Sequence, residues 1–415
     1  MKINTGRGTI PLITLVGIWS VSALTSLPGL AVSPILGQLT TIFPHATELD
    51  IQMLTSLPSL LIIPFVLLAG KLAEKRDFVR LLKAGLWMFA TSGVLYLFSD
   101  KMWQLMVVSA LLGIGSGVII PLSTGLVSRY FTGEYRVKQF GYSSAITNVT
   151  LVVATAGGGG RGGAETGYLA EVNWHLPFVV YLLPLVSLLL VGYLKGDTGQ
   201  PQIAEDTAAV VPEESKRAVP GKYGIHICHL LQLMLFYGVT TYVVLAVTFG
   251  LPFLMEAHHF SSGNSGLMIS LFFLAIMAPG FFLGHIVKWM GKHTKFYSLL
   301  SIAAGLLLIW ISPKEWLIIP GCMLVGLGYG VIQPLIYDET VDTAIPEKTT
   351  LALAFVMVMN YLAILLSPFI TDFFQTLFHT NSKEFPFIFN LCITLLAMWW
   401  EYARKKDSLL GGSYE

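Results

Sequence analysis

Apolar residues in this chain come in long runs separated by short polar breaks. Runs of that kind cover approximately 10–35, 51–73, 79–98, 103–128, 139–158, 176–195, 224–253, 264–287, 296–312, 316–338, 350–372 and 386–402. A helix needs roughly 20 predominantly apolar residues to cross the hydrocarbon core of a bilayer. The pattern therefore predicts an all-α membrane protein with twelve transmembrane helices. The first run follows Lys2 and Arg7, as a signal peptide would, but it is long and has no clear small-residue cleavage site. It reads as an uncleaved first span. The longest polar break, Lys195 to Lys222, has mixed charge, prolines and no helical period, and reads as a solvated linker. The expected organisation is a six-helix bundle over 1–195, a linker over 196–222 and a second six-helix bundle over 223–415.

Charge fixes an expected orientation. With the N-terminus inside, 21 of the 25 Lys and Arg fall in inner segments or adjoining span ends, and only Lys101, Arg161, Lys314 and Lys383 fall outside. Lys and Arg accumulate in cytoplasmic loops, so both termini are expected in the cytoplasm, and one span more or fewer would scramble the asymmetry. The composition agrees: 12% of residues are charged, against about 25% in a soluble domain. The net charge of +1 gives no attraction to nucleic acid. Cys228, Cys322 and Cys392 all lie in apolar runs and read as small buried hydrophobes. His258 and His259 are adjacent, so on a helix they diverge and do not make a metal site.

The two halves of the chain resemble each other. "GIGSGVIIPL" from Gly113 is answered by "GLGYGVIQPL" from Gly326, 213 residues on. Gly70 in the break after the second run is answered by Gly284, an offset of 214, and Pro177-Phe178 by Pro386-Phe387, an offset of 209. Parallel six-helix repeats are a transporter architecture that binds substrate between the repeats. With these features the chain resembles the major facilitator superfamily over nearly its whole length. The family's loop after span two carries Gly-x-x-x-Asp-(Arg/Lys)-x-Gly-(Arg/Lys). Here Gly70, Glu74 and Lys75 take the first positions, Arg76 and Arg80 keep the loop basic, and Asp77 replaces the second glycine. The resemblance implies that Gly70, Glu74 and Arg76 belong to a latch between the halves. Drug-efflux relatives often carry an arginine where Ser109 stands, and a Gly-Pro-x-x-Gly-Gly signature in span five that is absent here.

Span five instead ends in "ATAGGGGRGGAETG", with six glycines within seven positions from Gly157 to Gly163. No lysine follows in phosphate-loop spacing. Each glycine costs about 1 kcal/mol in a helix interior, so the stretch should end span five early. It is read either as an insertion that loosens an outer gate or as a neutral loop extension.

The resemblance implies that spans one, four, seven and ten line the cavity. On span seven Tyr237, Thr240 and Thr241 are spaced i, i+3 and i+4 on one face. Gln333 in span ten breaks the repeat, since its counterpart is Ile120, and Trp19 in span one offers a stacking wall. These five are the candidate substrate-binding residues; Asn148 and Asn360 are as well suited to holding helices together. No deep Arg or Lys is evident, and for proton coupling the candidates are Asp338, at the inner end of span ten, and Asp50, at an outer end. Arg129 and Asp342 share the 213-residue offset and are expected to meet as a gate at the inner mouth.

The expected function is secondary transport of a small organic molecule by alternating access, as proton-linked efflux of apolar or amphipathic compounds. The alternative is uptake of a nutrient or small organic anion by the same fold. No enzyme constellation and no nucleotide-binding loop is present in the sequence, so no cofactor is expected. The expected partners are the substrate, a coupling proton and the lipid of the plasma membrane, with the chain acting as a monomer.

Overall fold

Helices account for nearly all of the regular structure. The computed structural model describes residues 2–28, 43, 48–156, 175–194, 224–258, 262–311, 314–380 and 382–403. A short hairpin precedes the helices, with β1 (Lys2–Asn4) antiparallel to β2 (Thr9–Pro11), and Ile3 opposite Ile10. Gly6 turns it at φ 87°, a conformation that favours glycine. The helices follow as α1 (Leu12–Leu24), α2 (Glu48–Leu72), α3 (Phe78–Leu97), α4 (Met102–Tyr130), α5 (Gly133–Ala156) and, after a 3₁₀ stretch Leu176–Leu182, α6 (Pro184–Val191). The later set is α7 (Ile227–Leu245), α8 (Ser262–Met290), α9 (Thr294–Ile311), α10 (Glu315–Asp342), α11 (Thr349–Leu377) and α12 (Phe385–Ala403). A π turn Ala246–Gly250 and a short helix Leu251–Ala257 extend α7.

Each apolar run is met by helix. Among the described residues, seven stretches are long and apolar enough to cross a membrane, and α1, Leu57–Leu72 and Phe178–Val191 are shorter apolar helices. Prolines sit inside α2, α4, α8, α10 and α11. That is tolerated where neighbouring helices re-satisfy the freed backbone. The hairpin was not expected; three-residue strands are too short to register as a pattern. The glycine-rich stretch, the 196–222 linker and His259 lie outside the described residues.

The sequence repeat has a structural counterpart. A Cβ on Gly113 would sit 2.7 Å from Pro58 of α2, one on Gly115 2.8 Å from Phe89 of α3, and one on Gly117 2.7 Å from Phe65 of α2. In α10, Gly326 and Gly330 press in the same way on Phe272 and Ile276 of α8, and Gly328 on Ser298 of α9. Glycine at alternate positions thus lets α4 and α10 approach two neighbours each, backbone to backbone. Large apolar clusters fill each set, one around Phe89, Leu122 and Tyr181 and one around Phe272, Ile302 and Phe387.

The two sets meet along two seams. In one, α5 packs on α8, with Gly141 and Gly280 facing each other so closely that either Cβ would strike the other's carbonyl. In the other, α2 packs on α11, and a Cβ on Gly70 would lie 2.7 Å from that of Ala354. Smaller clusters seal the seams, with Val137, Leu283 and Val287 in one and Ile62, Val66, Ala354 and Val358 in the other. Cys322 is buried as expected, whereas Cys228 and Cys392 are exposed on the outside of the bundle. An apolar residue facing out is unremarkable where the surroundings are lipid.

Candidate functional site

Where α4 ends and α5 begins, and where α10 ends and α11 begins, ionisable residues gather; this is the charged end of the bundle. Asp338 and Asp342 are one turn apart on α10 and so share a face. Arg136, in the first turn of α5, reaches both. Its Nε donates to Asp338 Oδ1, and its Nη2 donates to Asp342 Oδ1 at 3.2 Å and Oδ2 at 3.1 Å. Arg136 is 6% exposed and Asp338 5%, so the attraction acts where water screens little. The planar guanidinium suits two carboxylates at once. Beside it, Lys288 of α8 meets Glu134 of α5 at 2.9 Å. Both ion pairs bridge the earlier and later helix sets.

Asp342 accepts hydrogen bonds from Arg136, seven residues beyond Arg129. The Arg129 guanidinium lies over the Phe78 ring, 4.2 Å from its centroid, a cation–π contact with α3. Two cations are buried at helix ends: Arg136 in the first turn of α5, and Lys295 at the start of α9, its Nζ 2.7 Å from Glu339 Oε2.

Further along the bundle from the charged end, a polar and aromatic cluster spans the same divide. Tyr329, Gln333 and Tyr337 follow at intervals of four on α10 and form one stripe. The Tyr237 and Tyr337 hydroxyls lie 2.7 Å apart, and Gln333 Nε2 donates to Tyr237 Oη at 3.1 Å. From α5, the Ser144 hydroxyl donates to Gln333 Oε1 at 3.0 Å. Gln333 thus ties a residue of the earlier set to one of the later set. Thr241 shares a hydrogen bond with the Tyr329 hydroxyl at 3.1 Å and donates to Asn360 Oδ1 of α11 at 3.5 Å. Phe140 of α5 packs edge-on against Tyr337, centroids 6.2 Å apart.

The structure brings Tyr237, Thr241 and Gln333 together in this cluster. Thr240 is buried but bonds back to the Phe236 and Tyr237 carbonyls of its own helix. Trp19 is half-buried; its indole donates to Gln139 Oε1 of α5 at 3.0 Å and meets Tyr142 edge-on. Asn148 donates to the Ser144 carbonyl. Asp50 lies in the first turn of α2, and its side chain is outside the described residues. Gly70 is a contact point between α2 and α11, as above. Glu74 and Arg76 make no side-chain hydrogen bond or ion pair among the described residues. The acid that acts in that loop is Asp77, whose carboxylate caps α3 by accepting from Val79 N and Arg80 N.

Sequence reasoning missed Arg136, Ser144, Tyr329, Tyr337 and Lys295 as site residues. A signal existed for the tyrosines, which flank Gln333 at i−4 and i+4. None existed for Ser144, because a hydroxyl in an apolar helix usually satisfies itself on its own backbone.

The chain matches the model of the Major Facilitator Superfamily over residues 14–368 and belongs to that family. Its members are transporters, and this chain is not an enzyme. It is 30% identical over 123 residues to quinolone resistance protein NorA of Staphylococcus aureus, a segment covering 30% of this chain and 29% of NorA. It is 27% identical over 135 residues to multidrug transporter protein MdtP of Bacillus subtilis, covering 32% and 24% of the two chains. The match thus spans less than a third of either relative. The fold is similar to that of a double tryptophan mutant of XylE, with a TM-score of 0.74 at 15% identity over 95% of this chain and 96% of that one. It is also similar to the human organic anion transporter MFSD10, with a TM-score of 0.69 at 16% identity over 94% and 97%. At such identities the likeness is one of fold.

Proposed function

We propose that this protein is a secondary transporter that moves a small amphipathic organic molecule by alternating access, as proton-linked efflux. In this reading twelve helices cross the plasma membrane as two six-helix bundles, 1–195 and 223–415, with the charged end in the cytoplasm, and the chain acts as a monomer. The observation that carries it is the cluster of Ser144, Tyr237, Gln333 and Tyr337. It offers aromatic surface and neutral hydrogen-bonding groups where the two helix sets meet. Such a surface suits a ligand with apolar rings and a few polar groups better than a small anion, which would call for a cation beside it. NorA and MdtP, which share short segments with this chain, are named for quinolone resistance and multidrug transport.

The ion pairs at the charged end supply the closure. With Arg136 on Asp338 and Asp342, and Lys288 on Glu134, the sets are held together at that end. Separating them would open the cluster to the cytoplasm. The buried carboxylates of α10 provide the link to protons.

The test is a reconstituted vesicle with a trapped pH dye and a panel of lipophilic cations, neutral aromatic drugs and organic anions. Amphipathic compounds should be transported with opposite movement of protons. Gln333→Leu removes the hydrogen bonds to Ser144, Tyr237 and Tyr337, each worth about 0.5–1.5 kcal/mol. It should raise the apparent KM by about tenfold or more. Transport of organic anions alone, or a KM unmoved by Gln333→Leu, would overturn the reading.

A further inference from the structure

Several ionisable groups lie close together on and around the last turns of α10, and they are not alike. Asp338 is bonded to Arg136, whose guanidinium stays protonated at any accessible pH. Putting a proton on Asp338 in this arrangement means giving up a charge-assisted hydrogen bond. Glu339, the next residue, is 8% exposed and differently placed. Its Oε2 accepts from Lys295 Nζ at 2.7 Å. Its Oε1 is buried with no hydrogen-bond partner among the described residues. An unsatisfied buried carboxylate oxygen is expensive, and a proton bound there relieves the cost while leaving the Lys295 bond at the other oxygen in place.

The surroundings suit a group that alternates between charged and neutral. Lys295 Nζ lies 5.4 Å from the centroid of the Phe236 ring on α7, so the ammonium keeps a second partner when the carboxyl is neutral. The charged groups that face Glu339 are Lys295 from α9, Glu401 from α12 and Asp338 from its own helix.

We propose that Glu339, held by Lys295, is the proton-binding group of this transporter, and that Arg136 sets its proton affinity through Asp338. The inference rests on the transport reading above and adds to it which carboxylate carries the proton. Arg136 belongs to α5, whereas Glu339, Lys295, Phe236 and Glu401 all belong to the later helices. With the charged end closed, Arg136 offsets the charge of Asp338, and Glu339 feels less negative potential. When the sets part there, Arg136 leaves with α5, Asp338 loses the offset that Arg136 gave, and Glu339 binds a proton more readily. Linkage is reciprocal, so a proton on Glu339 favours the state open at the charged end. That is the sense efflux needs: proton binding returns the empty transporter towards the side where substrate is collected.

The reconstituted full-length protein can be titrated by infrared difference spectroscopy, which reads the carbonyl band of a protonated carboxyl and needs no substrate. A band that titrates and is lost in Glu339→Gln but kept in Asp338→Asn is expected. A band surviving Glu339→Gln, or no titrating band in the wild type, overturns the proposal. Because Glu339→Gln leaves the Lys295 ammonium without its carboxylate, the double variant Lys295→Met with Glu339→Gln guards against misfolding; it should lose the same band. In vesicles, both variants should lose the proton movement that substrate drives in the wild type. Wild-type flux without protons overturns this proposal and leaves transport standing, whereas no wild-type flux with the infrared band intact overturns the transport reading instead.

Discussion

A single side chain, Arg136, binds two carboxylates on α10. Its sequence neighbours made it look like one more basic residue in a loop, since it precedes the expected start of span five at 139. The helix in fact begins at Gly133, which places Arg136 in the first turn with its side chain turned into the bundle. The 213-residue repeat drew attention to Arg129 instead, and no repeat argument applies to Arg136, because the groups it binds are not its symmetry mates. Removing one partner of a buried ion pair costs about 3–5 kcal/mol, because a charge is left behind. Arg136→Gln should therefore destabilise the closed arrangement and lower transport. Asp338→Asn in the same chain should restore part of the thermal stability, because the stranded charge is gone. Thermal unfolding in detergent of the single and double variants is the check; a double variant no more stable than Arg136→Gln would mean that Asp338 does not depend on Arg136.

At the level of helices, the apolar runs and the two glycine triplets were legible in the sequence, and the reason is physical. A membrane-crossing helix must be long and apolar, and a helix packed against two neighbours at once needs glycine at the contacts. What was not legible is which helix faces which. Nothing in "FGYSSAITN" says that Gly141 is the point where α5 meets α8, since a glycine in a membrane helix is common and its partner, Gly280, lies in another run. The structure makes that pair the tightest crossing between the two sets. Gly141→Leu should hold α5 off α8, and overpacking of this kind costs about 1–3 kcal/mol. If the crossing is needed only for closure of the charged end, the cost falls on the closed state. Spin labels on Lys75→Cys and His293→Cys, both exposed positions in turns at that end, should then report a shift to longer distances in Gly141→Leu. An unchanged distance distribution with unchanged stability would show that the crossing has room to spare.

For the molecule as a whole, the two seams and the two ion pairs act together, and that makes alternating access testable without knowing the substrate. Several groups that tie the earlier and later helices fall at or towards the charged end: Arg136 with Asp338 and Asp342, Glu134 with Lys288, Gly141 with Gly280, and Gly70 with Ala354. The Gly70 and Ala354 positions offer a way to fix that arrangement. A Cβ on Gly70 lies 2.7 Å from that of Ala354, and a disulfide needs about 3.5–4.5 Å between them. A small outward shift of α2 from α11 therefore suits Gly70→Cys with Ala354→Cys, with the native Cys228, Cys322 and Cys392 replaced by alanine. Oxidation should lock the charged end shut. Transport should stop on oxidation and return on reduction, while either single cysteine variant transports in both conditions. A locked protein that still transports would mean the two helix sets need not part at the α2–α11 seam, and the path would then have to open elsewhere in the bundle.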